Sequence, residues 1–306
     1  MSDKGQQDMW PRWRLLKDKI AGRLMLILTV FSGLILVFMT VGLYQKSRPI
    51  LAIKSLEHLL LSSSWHPMRG DFGFFPFIIG SLWVTVVAVI IAVPLCLLTA
   101  IYLSEYAHRR IREFARPLID LLAGIPSVVF GVWGVLIIVP VIKDYIAPLS
   151  GSFSSGYCVL AAGIVLAIMI FPLIINVSVE VFATVPREVR EASLALGATK
   201  WQTIKHAVIR KAFPGIVAAI LLGLSRAFGE TMAVLMVAGN VARVPHSVLD
   251  PSYPLAALIA NNYGEMMSVP LYDSALLLAS LILLLVVLLF NVGARLVLIR
   301  ATRSIR

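Results

Sequence analysis

The chain has 306 residues, of which 59% are hydrophobic and 14% are charged. An ordinary soluble domain is about 45–50% apolar and about 25% charged, so this composition excludes a soluble globular protein. The apolar residues form long runs, which predict an all-α integral membrane protein. The formal net charge of +11 lies in short segments between these runs, which is typical of membrane topology and argues against nucleic-acid binding.

Six apolar runs approach or exceed the roughly 20 residues that a helix needs to cross a membrane. The predicted transmembrane spans are Leu24–Leu43, Phe74–Leu103, Pro117–Ile142, Tyr157–Phe182, Phe213–Gly239 and Asp273–Ile299. The predicted segments are a basic tail at 1–23, a first transmembrane helix at 24–45, a loop at 46–73, a core of five transmembrane helices at 74–299 with a large loop at 183–212, and a tail at 300–306.

The basic residues are distributed asymmetrically between the two sides of the predicted helices. Of the 27 Lys and Arg residues, 20 lie in the N-terminal tail, in the loops after the second and fourth spans, and in the C-terminal flank. Because cytoplasmic loops carry the excess of Lys and Arg, this distribution predicts that both termini are cytoplasmic. The loop at 183–212 is then cytoplasmic, and the loops at 46–73 and 241–272 are external.

No pattern of a metal site, a disulfide framework or a nucleotide-binding loop occurs in the sequence. The two cysteines, Cys96 and Cys158, both lie in apolar segments, where we expect packed thiols. No Cys/His cluster has metal-ligand spacing, and there is no G-x-x-x-x-G-K-[ST] run. We therefore expect no metal and no cofactor in this chain, which has no phosphate-cradling loop for ATP.

The cytoplasmic loop contains two helical runs separated by Gly197. Pro186 suits the first turn of a helix, and Gly197 is a typical residue just past a helix end. Thr199 and Gln202 have the spacing of a capping box, which predicts that a second helix begins there. Two interpretations remain open, a helical hairpin that docks on another protein and an amphipathic helix that lies on lipid headgroups through Trp201.

The fifth span carries charge at membrane depth. Arg226 lies 13 residues past Phe213, which is about 20 Å along a helix. On one continuous helix, Glu230 and Asn240 would flank Arg226 within about 40° on either side. These residues therefore predict a narrow polar strip along an apolar helix. Small residues form a separate row that predicts close helix packing: Ala219, Gly223 and Ala227.

An arginine in such a strip matches the oxygens of a phosphate or carboxylate, because the guanidinium is planar and permanently charged. A glutamate beside it can accept a hydrogen bond from a protonated oxyanion. This arrangement favours phosphate over sulfate, which carries no proton at neutral pH. The alternative for Arg226 and Glu230 is an ion pair that only fixes the position of the helix.

Two stretches resemble known permeases. Glu191-Ala192-Ser193 followed by Gly197 resembles the E-A-A-x3-G loop of ABC importer permeases, with serine in place of the second alanine and Ile209-Arg210 where that family usually has Leu-Pro. The run from Ser225 to Val234, SRAFGETMAV, resembles the fifth span of phosphate-specific ABC permeases of the PstC type. Further matching segments are Trp65-His66-Pro67, Phe72-Gly73, Ser104-Glu105-Tyr106-Ala107, Gly124-Ile125-Pro126-Ser127-Val128-Val129 and Ala238-Gly239-Asn240.

The resemblance implies a type I ABC importer permease fold and a non-catalytic subunit that imports inorganic phosphate across a bacterial inner membrane. It assigns a substrate pathway to Arg226, Glu230, Thr231 and Asn240. It assigns coupling to an ATPase to Glu188, Glu191, Ala192, Ser193, Gly197 and Thr199. The implied partners are a second permease subunit in a heterodimer, two copies of a cytoplasmic ATPase subunit, and an external phosphate-binding protein on the outer loops.

Two other functions remain as alternatives. The first is a permease of the same fold for another oxyanion or small solute. The second is a membrane enzyme that uses Glu230 or Asp120 as an acid or base, although no nucleophile–base pair accompanies either residue. An ion pair between Asp120 and Arg116 at the membrane surface is the structural interpretation of Asp120.

Overall fold

A computed structural model describes residues 9–265 and 269–303 of the chain. This part of the protein is mostly helical and contains six helices that are long and apolar enough to cross a membrane. The predicted all-α fold and the number of spans are therefore confirmed. Parts of the predicted N-terminal tail, external loop and C-terminal tail lie outside the described residues, namely 1–8, 266–268 and 304–306.

The elements in chain order are α1 (Met9–Ile53), α2 (Leu56–Leu61), β1 (Trp65–His66), β2 (Asp71–Phe72), α3 (Phe75–Tyr106), α4 (Arg109–Gly124), α5 (Ser127–Leu149), α6 (Val159–Ala183), α7 (Arg187–Ala195), α8 (Lys200–Gly229), α9 (Met232–Val237), α10 (Leu255–Asn262) and α11 (Tyr272–Arg303). Three of the long helices contain wider π-helical turns. These turns are Tyr102–Tyr106 in α3, Gly134–Ile138 and Ile142–Ile146 in α5, and Ile204–Val208 in α8.

The first helix is much longer than the predicted span. α1 has 45 residues and extends from the predicted tail at 1–23 into the predicted loop at 46–73. The flanking sequence is rich in Leu, Lys and Arg, which favour helix, so nothing local ends the helix at the boundary of the apolar run. α1 packs mainly against α11, and most of its side chains from Trp13 to Tyr44 are exposed in the single chain.

The predicted third span begins too early. Residues of its first part belong to α4, a separate helix with a polar and an apolar side, and α5 begins only at Ser127. Ile125 and Pro126 are both extended between the two helices, with ψ of 128° and 142°. The residue before a proline is disfavoured in helical conformation, so Pro126 separates the two helices.

Helix α6 is the centre of the bundle, with α3 and α8 packed along it. Small residues allow the close approach of α8. Ala219 and Ala227 are buried, and a side chain at Gly223 would overlap with Ile174 of α6. The predicted packing row is therefore confirmed, and its partner is α6.

A second cluster of buried residues ties the β-hairpin to the ends of α3 and α11. Trp65 of β1 lies at the centre of this cluster, with ring centroids 4.9–6.4 Å from those of Phe72, Phe74, Phe77 and Tyr272. The two strands are antiparallel, and Trp65 pairs with Phe72. Most of the first external loop predicted from the sequence is therefore ordered and packed on the bundle.

Candidate functional site

The predicted fifth span is broken in the middle. Helix α8 ends at Gly229, and the next residue, Glu230, is extended with φ of −75° and ψ of 125°. Thr231 then precedes the short helix α9, and its hydroxyl donates to the carbonyl of Gly229 at 3.3 Å. Free backbone groups at membrane depth are tolerated where they line a polar path or meet other protein groups. The break is therefore a candidate site for a polar solute.

Arg226 lies in the last turn of α8 and is exposed in the single chain. A cation at this position is stabilised by the partial negative charge at the C-terminal end of the helix. Glu230 is partly buried, and neither an ion pair nor a hydrogen bond joins it to Arg226 in the part of the chain that the structure describes. The interpretation of the two residues as a resting ion pair is not supported by this geometry.

The predicted polar strip along one helix is wrong. Arg226 and Glu230 belong to different backbone conformations, and Asn240 follows a further helix and a turn. Asn240 has a left-handed φ of 51°, and its side-chain amide nitrogen donates to the backbone carbonyl of Leu235 at 2.7 Å. Arg226, Glu230 and Thr231 are thus grouped at the break, whereas Asn240 closes the other end of α9.

Helix α9 is held against α5 by two glycines. A side chain at Gly131 would overlap with Met236, and one at Gly134 would overlap with Val165 and Val237. At this close approach α9 buries its apolar residues on α5 and α6, directly after the end of α8 at Gly229. Tertiary packing therefore accounts for the break.

A cavity of about 10 Å³ lies against the break, between α3 and Glu230. Its lining includes the hydroxyl-bearing residues Ser81 and Thr85. The Ser81 hydroxyl accepts from the backbone N–H of Leu255 at 2.8 Å and donates to the carbonyl of Phe77 at 2.9 Å. A cavity of this size has room for about one water molecule, so there is little free space beside Glu230 within the single chain.

The loop at 183–212 forms the predicted helical hairpin. α7 begins after Pro186, and Gly197 has the left-handed φ of 82° that a glycine past a helix end supplies. Thr199 and Gln202 form the predicted capping box, with bonds of 2.8 and 3.3 Å. The second helix is continuous with the membrane helix, since both belong to α8.

The outer surface of the hairpin combines acidic and apolar side chains. Glu188, Glu191 and Ala192 are exposed, and so are the apolar residues Leu196 and Trp201. On the inner side, the hydroxyls of Ser193 and Thr203 are 3.0 Å apart and join α7 to α8. Ser193 therefore holds the hairpin together, whereas the acidic residues face outward.

Sequence reasoning missed the contact that attaches the hairpin to the bundle. The Arg190 guanidinium donates to both carboxylate oxygens of Glu105, at 2.6 and 3.1 Å. Glu105 belongs to the π-helical turn at the end of α3, 85 residues away in sequence. The only sequence signal was a single acidic residue at the end of an apolar span, and such a residue does not identify its partner.

A second polar region lies between α3, α4 and α6, in an open cleft of about 420 Å³. Asp120 accepts from the side-chain amide of Asn176 at 2.9 Å, and no ion pair joins Asp120 to Arg116 among the described residues. The expected ion pair is replaced by this contact between α4 and α6. The described residues contain no group of three or more His, Cys, Asp or Glu residues that could hold a metal.

The chain matches a family of transport proteins. The sequence model described as "Binding-protein-dependent transport system inner membrane component" matches residues 92–303. The chain is 40% identical over 257 residues to the phosphate transport system permease protein PstC of Xylella fastidiosa (strain 9a5c), covering 79% of both chains. It is also 38% identical over 255 residues to the probable ABC transporter permease protein YqgH of Bacillus subtilis (strain 168), covering 81% of this chain and 80% of that protein.

Solved structures share the fold. A bacterial alginate ABC transporter in complex with an alginate-bound periplasmic protein superposes with a TM-score of 0.63 at 15% identity, covering 92% of this chain and 95% of that one. The inward-facing MetNI methionine ABC transporter superposes with a TM-score of 0.56 at 18% identity, covering 74% and 93%. The fold is therefore that of type I ABC importer permeases, and the chain belongs to the family of binding-protein-dependent transport system inner membrane components.

Proposed function

We propose that the chain is a transmembrane permease subunit of an ATP-driven ABC importer that carries inorganic phosphate into the cell. The observation that carries the proposal is the position of Arg226, one turn before the helix break at Glu230, in a chain 40% identical to a phosphate transport permease. The subunit itself is not catalytic. ATP is bound and hydrolysed by a separate ATPase chain.

The groups at the break suit a protonated oxyanion. The Arg226 guanidinium can donate two parallel hydrogen bonds to phosphate oxygens. Glu230 can accept the proton of HPO₄²⁻, and the hydroxyl of Thr231 can donate to a further oxygen. Broken membrane helices commonly form solute sites, since their free ends supply partial charges and unpaired backbone groups. Asn240 belongs to the same path on its outer side.

A second permease subunit completes the path. Arg226 is exposed in the single chain, and an unpartnered arginine facing lipid costs about 2.5–3.5 kcal/mol on insertion scales. A sister permease that packs against this face encloses Arg226 in a polar path between the two subunits. We propose a heterodimer of permeases for this reason.

Permeases of this family work with an ATPase and a substrate-binding protein. The α7–α8 hairpin is the surface on which the ATPase docks, with two ATPase copies serving the two permeases. Glu188 and Glu191 lie among exposed basic residues of the hairpin, such as Arg187 and Lys200. They dilute the basic face that a lipid-binding helix would prefer, which supports a protein partner. The coupling residues are Glu188, Glu191, Ala192, Ser193, Gly197 and Thr199.

The side of the membrane on which the α7–α8 hairpin lies fixes the orientation of the whole chain. If the hairpin is cytoplasmic, six crossing helices place both termini on the cytoplasmic side, in agreement with the distribution of basic residues. The β-hairpin and the loop before α11 then face outward and meet the phosphate-binding protein. The membrane is the bacterial inner membrane.

The proposal is tested by radiolabelled phosphate uptake in cells that lack their own high-affinity system. The cells express this chain with its sister subunits, as the wild type or as Arg226→Gln, and membrane levels of each subunit are measured. We expect uptake that excess sulfate does not inhibit, and its loss in Arg226→Gln at normal assembly. An assembled wild-type complex that takes up another oxyanion and no phosphate would overturn the proposed substrate.

A further inference from the structure

We propose that Arg190 and Glu105 link the α7–α8 hairpin to α3, so that motion of the hairpin drives the far end of α3 beside Glu230. Both act as positioning residues, because neither is near the break in α8. The inference rests on the proposed transport function, in which the hairpin receives a movement from the ATPase. It adds the route by which this movement reaches a helix that the hairpin does not join covalently.

The Arg190 side chain is fully engaged at one position. Besides the two bonds to Glu105, it donates to the backbone carbonyls of Val185 at 2.6 Å and Phe182 at 3.0 Å, with a longer bond to Pro186 at 3.4 Å. The side chains of Arg190 and Glu105 are only 21% and 9% exposed. Arg190 therefore joins three parts of the chain, namely the start of α7, the end of α6 and the end of α3.

A side-chain link is needed because the backbone reaches only two of the helices. The hairpin continues directly into α8, and a connection of three residues, 184–186, joins it to α6. Helix α3 instead continues into α4 and has no backbone connection to the hairpin. A displacement of the hairpin therefore reaches α3 only through side chains, either by way of the packing of α3 on α6 or directly through the Arg190–Glu105 pair.

The geometry of the Arg190–Glu105 pair suits the transfer of movement from the hairpin to α3 better than it suits a contribution to stability. A bidentate arginine–carboxylate pair fixes both the distance and the angle between its partners. A buried ion pair adds little net stability, because the desolvation of two charges offsets their attraction. A second contact holds the same parts together, since the Lys200 ammonium lies 4.4 Å from the centre of the Tyr106 ring at the end of α3.

The other end of α3 lies against the proposed solute path. Ser81 and Thr85 of α3 line the small cavity beside Glu230. Ser81 lies 24 residues before Glu105, which corresponds to about 36 Å along a helix. A helix of this length transmits a displacement of its cytoplasmic end to the cavity. The link can therefore change the width of the path at Glu230 when the hairpin moves.

The first test measures phosphate transported per ATP hydrolysed, in proteoliposomes that contain the whole complex. The variants are Arg190→Gln, Glu105→Gln and, as a matched control, Glu113→Gln, which breaks an exposed Arg109–Glu113 pair of the same 2.6 Å length. We expect the ratio to fall by about tenfold or more in both link variants, as for a typical loss of coupling between sites, with ATP hydrolysis retained. Glu113→Gln is expected to keep the wild-type ratio.

An unchanged ratio in Glu105→Gln, with uptake lowered only in proportion to the amount of complex, would overturn the link. Glu105→Gln keeps the size of the side chain and one acceptor oxygen. If Arg190→Gln fails to assemble, the ratio measured for Glu105→Gln alone tests the link. A wild-type complex that hydrolyses ATP but moves no phosphate would contradict the proposed substrate and not the link.

A second test separates the two proposals because it does not depend on the substrate. A spin label at Ile90→Cys, an exposed position on α3, reports the movement of α3 in the whole complex when a non-hydrolysable ATP analogue is added. We expect the spectrum to change in the wild-type background and to stay constant in the Glu105→Gln background. The same change in both backgrounds would show that α3 moves without the link, whichever solute is transported.

Discussion

Arg226 and Glu230 lie on the two sides of a helix end, and no ion pair joins them although they are four residues apart. On a continuous helix this spacing would bring their side chains together. The end of α8 at Gly229 instead leaves the guanidinium exposed in the single chain and the carboxylate near the cavity that Ser81 and Thr85 line. Neither side chain is occupied by the other, so both can interact with a bound solute.

In the proposed binding mode, phosphate recognition depends on the geometry of the Arg226 guanidinium as well as on its charge. We expect Arg226→Lys to transport phosphate less well than the wild type but better than Arg226→Gln, because lysine keeps the charge and loses the planar pair of donors. The loss of a charge-assisted hydrogen bond of about 1.5–3 kcal/mol corresponds to roughly a 10- to 150-fold effect. Initial rates of phosphate uptake per assembled complex measure it. Equal rates for Arg226→Lys and the wild type would contradict bidentate binding.

Exchanging Arg226 and Glu230 tests whether the two residues form a structural ion pair. We expect the double variant Arg226→Glu/Glu230→Arg to assemble and to lose phosphate uptake, since the two positions lie on different backbone segments. Assembly is measured by co-purification of the subunits, and uptake by radiolabelled phosphate. Restored uptake relative to either single variant would show that the residues act as a structural pair.

Gly197 is the turn between the two helices of the hairpin, and its backbone requires a glycine. A Cβ at this position would meet no atom within 4 Å, so Gly197→Ala adds backbone strain and no overlap. A non-glycine residue in left-handed conformation costs about 1–2 kcal/mol. We expect Gly197→Ala to lower phosphate uptake per ATP hydrolysed by distorting the docking surface.

Gly151 provides the matched control for this variant. It also has a positive φ, 66°, and open space around the added Cβ, but it lies between α5 and α6, at the opposite end of α6 from the hairpin. Gly151→Ala is expected to introduce the same strain and to leave the ratio of phosphate to ATP unchanged. If both variants lower the ratio equally, the effect belongs to general strain and the coupling assignment of Gly197 is wrong.

Close packing of α8 on α6 depends on Gly215 in the middle of α8. A Cβ at Gly215 would overlap with the side chain of Val181. We expect Gly215→Ala to destabilise the protein by about 1–3 kcal/mol, as overpacking typically does. The measurement is the thermal unfolding temperature of the purified protein in detergent.

Two further variants show whether the overlap is the cause. Val181→Ala removes the opposing methyl groups, so the double variant is expected to recover part of the lost unfolding temperature. Gly33→Ala in α1 meets no atom within 4 Å and is expected to be neutral or slightly stabilising. A loss of unfolding temperature in Gly33→Ala as large as that in Gly215→Ala would contradict the packing explanation.

The β-hairpin is fastened to the end of α1 by an ion pair of 2.7 Å between Lys54 and Asp71. The hydrogen bond and charge of Lys54 lower the pKa of Asp71 below its ordinary value of 3.8. Because the folded pKa is the lower one, the pair stabilises the fold above pH 3.8 and is lost as the pH falls through the folded pKa.

We therefore expect Asp71→Asn to lower the unfolding temperature at neutral pH and to show the same difference in weakly acidic buffer. The difference should disappear only below the ordinary pKa of the aspartate. Unfolding temperatures of the wild type and Asp71→Asn across a pH series measure this. A difference that disappears already between neutral and weakly acidic pH would assign the effect to another group.

The α7–α8 hairpin was predicted correctly because the sequence signals for it are local. Pro186, Gly197 and the capping pair Thr199 and Gln202 each act on the few residues around them, and the structure confirms all of them. The helix break at Glu230 was missed because the apolar pattern of the fifth span continues through it. The break depends on Gly131 and Gly134, about 100 residues earlier in the chain, and helix periodicity carries no information on such distant contacts.

Six membrane helices, an uneven distribution of basic residues, and an arginine and a glutamate in an apolar span can all be recognised in the amino-acid sequence. These features depend on the cost of placing polar groups in lipid, which acts on each segment separately. The separation of Arg226 from Glu230 by a helix end and the bond between Arg190 and Glu105 could be seen only in the folded chain. Both depend on which helices pack together, and that choice depends on the fit of side chains from distant parts of the chain.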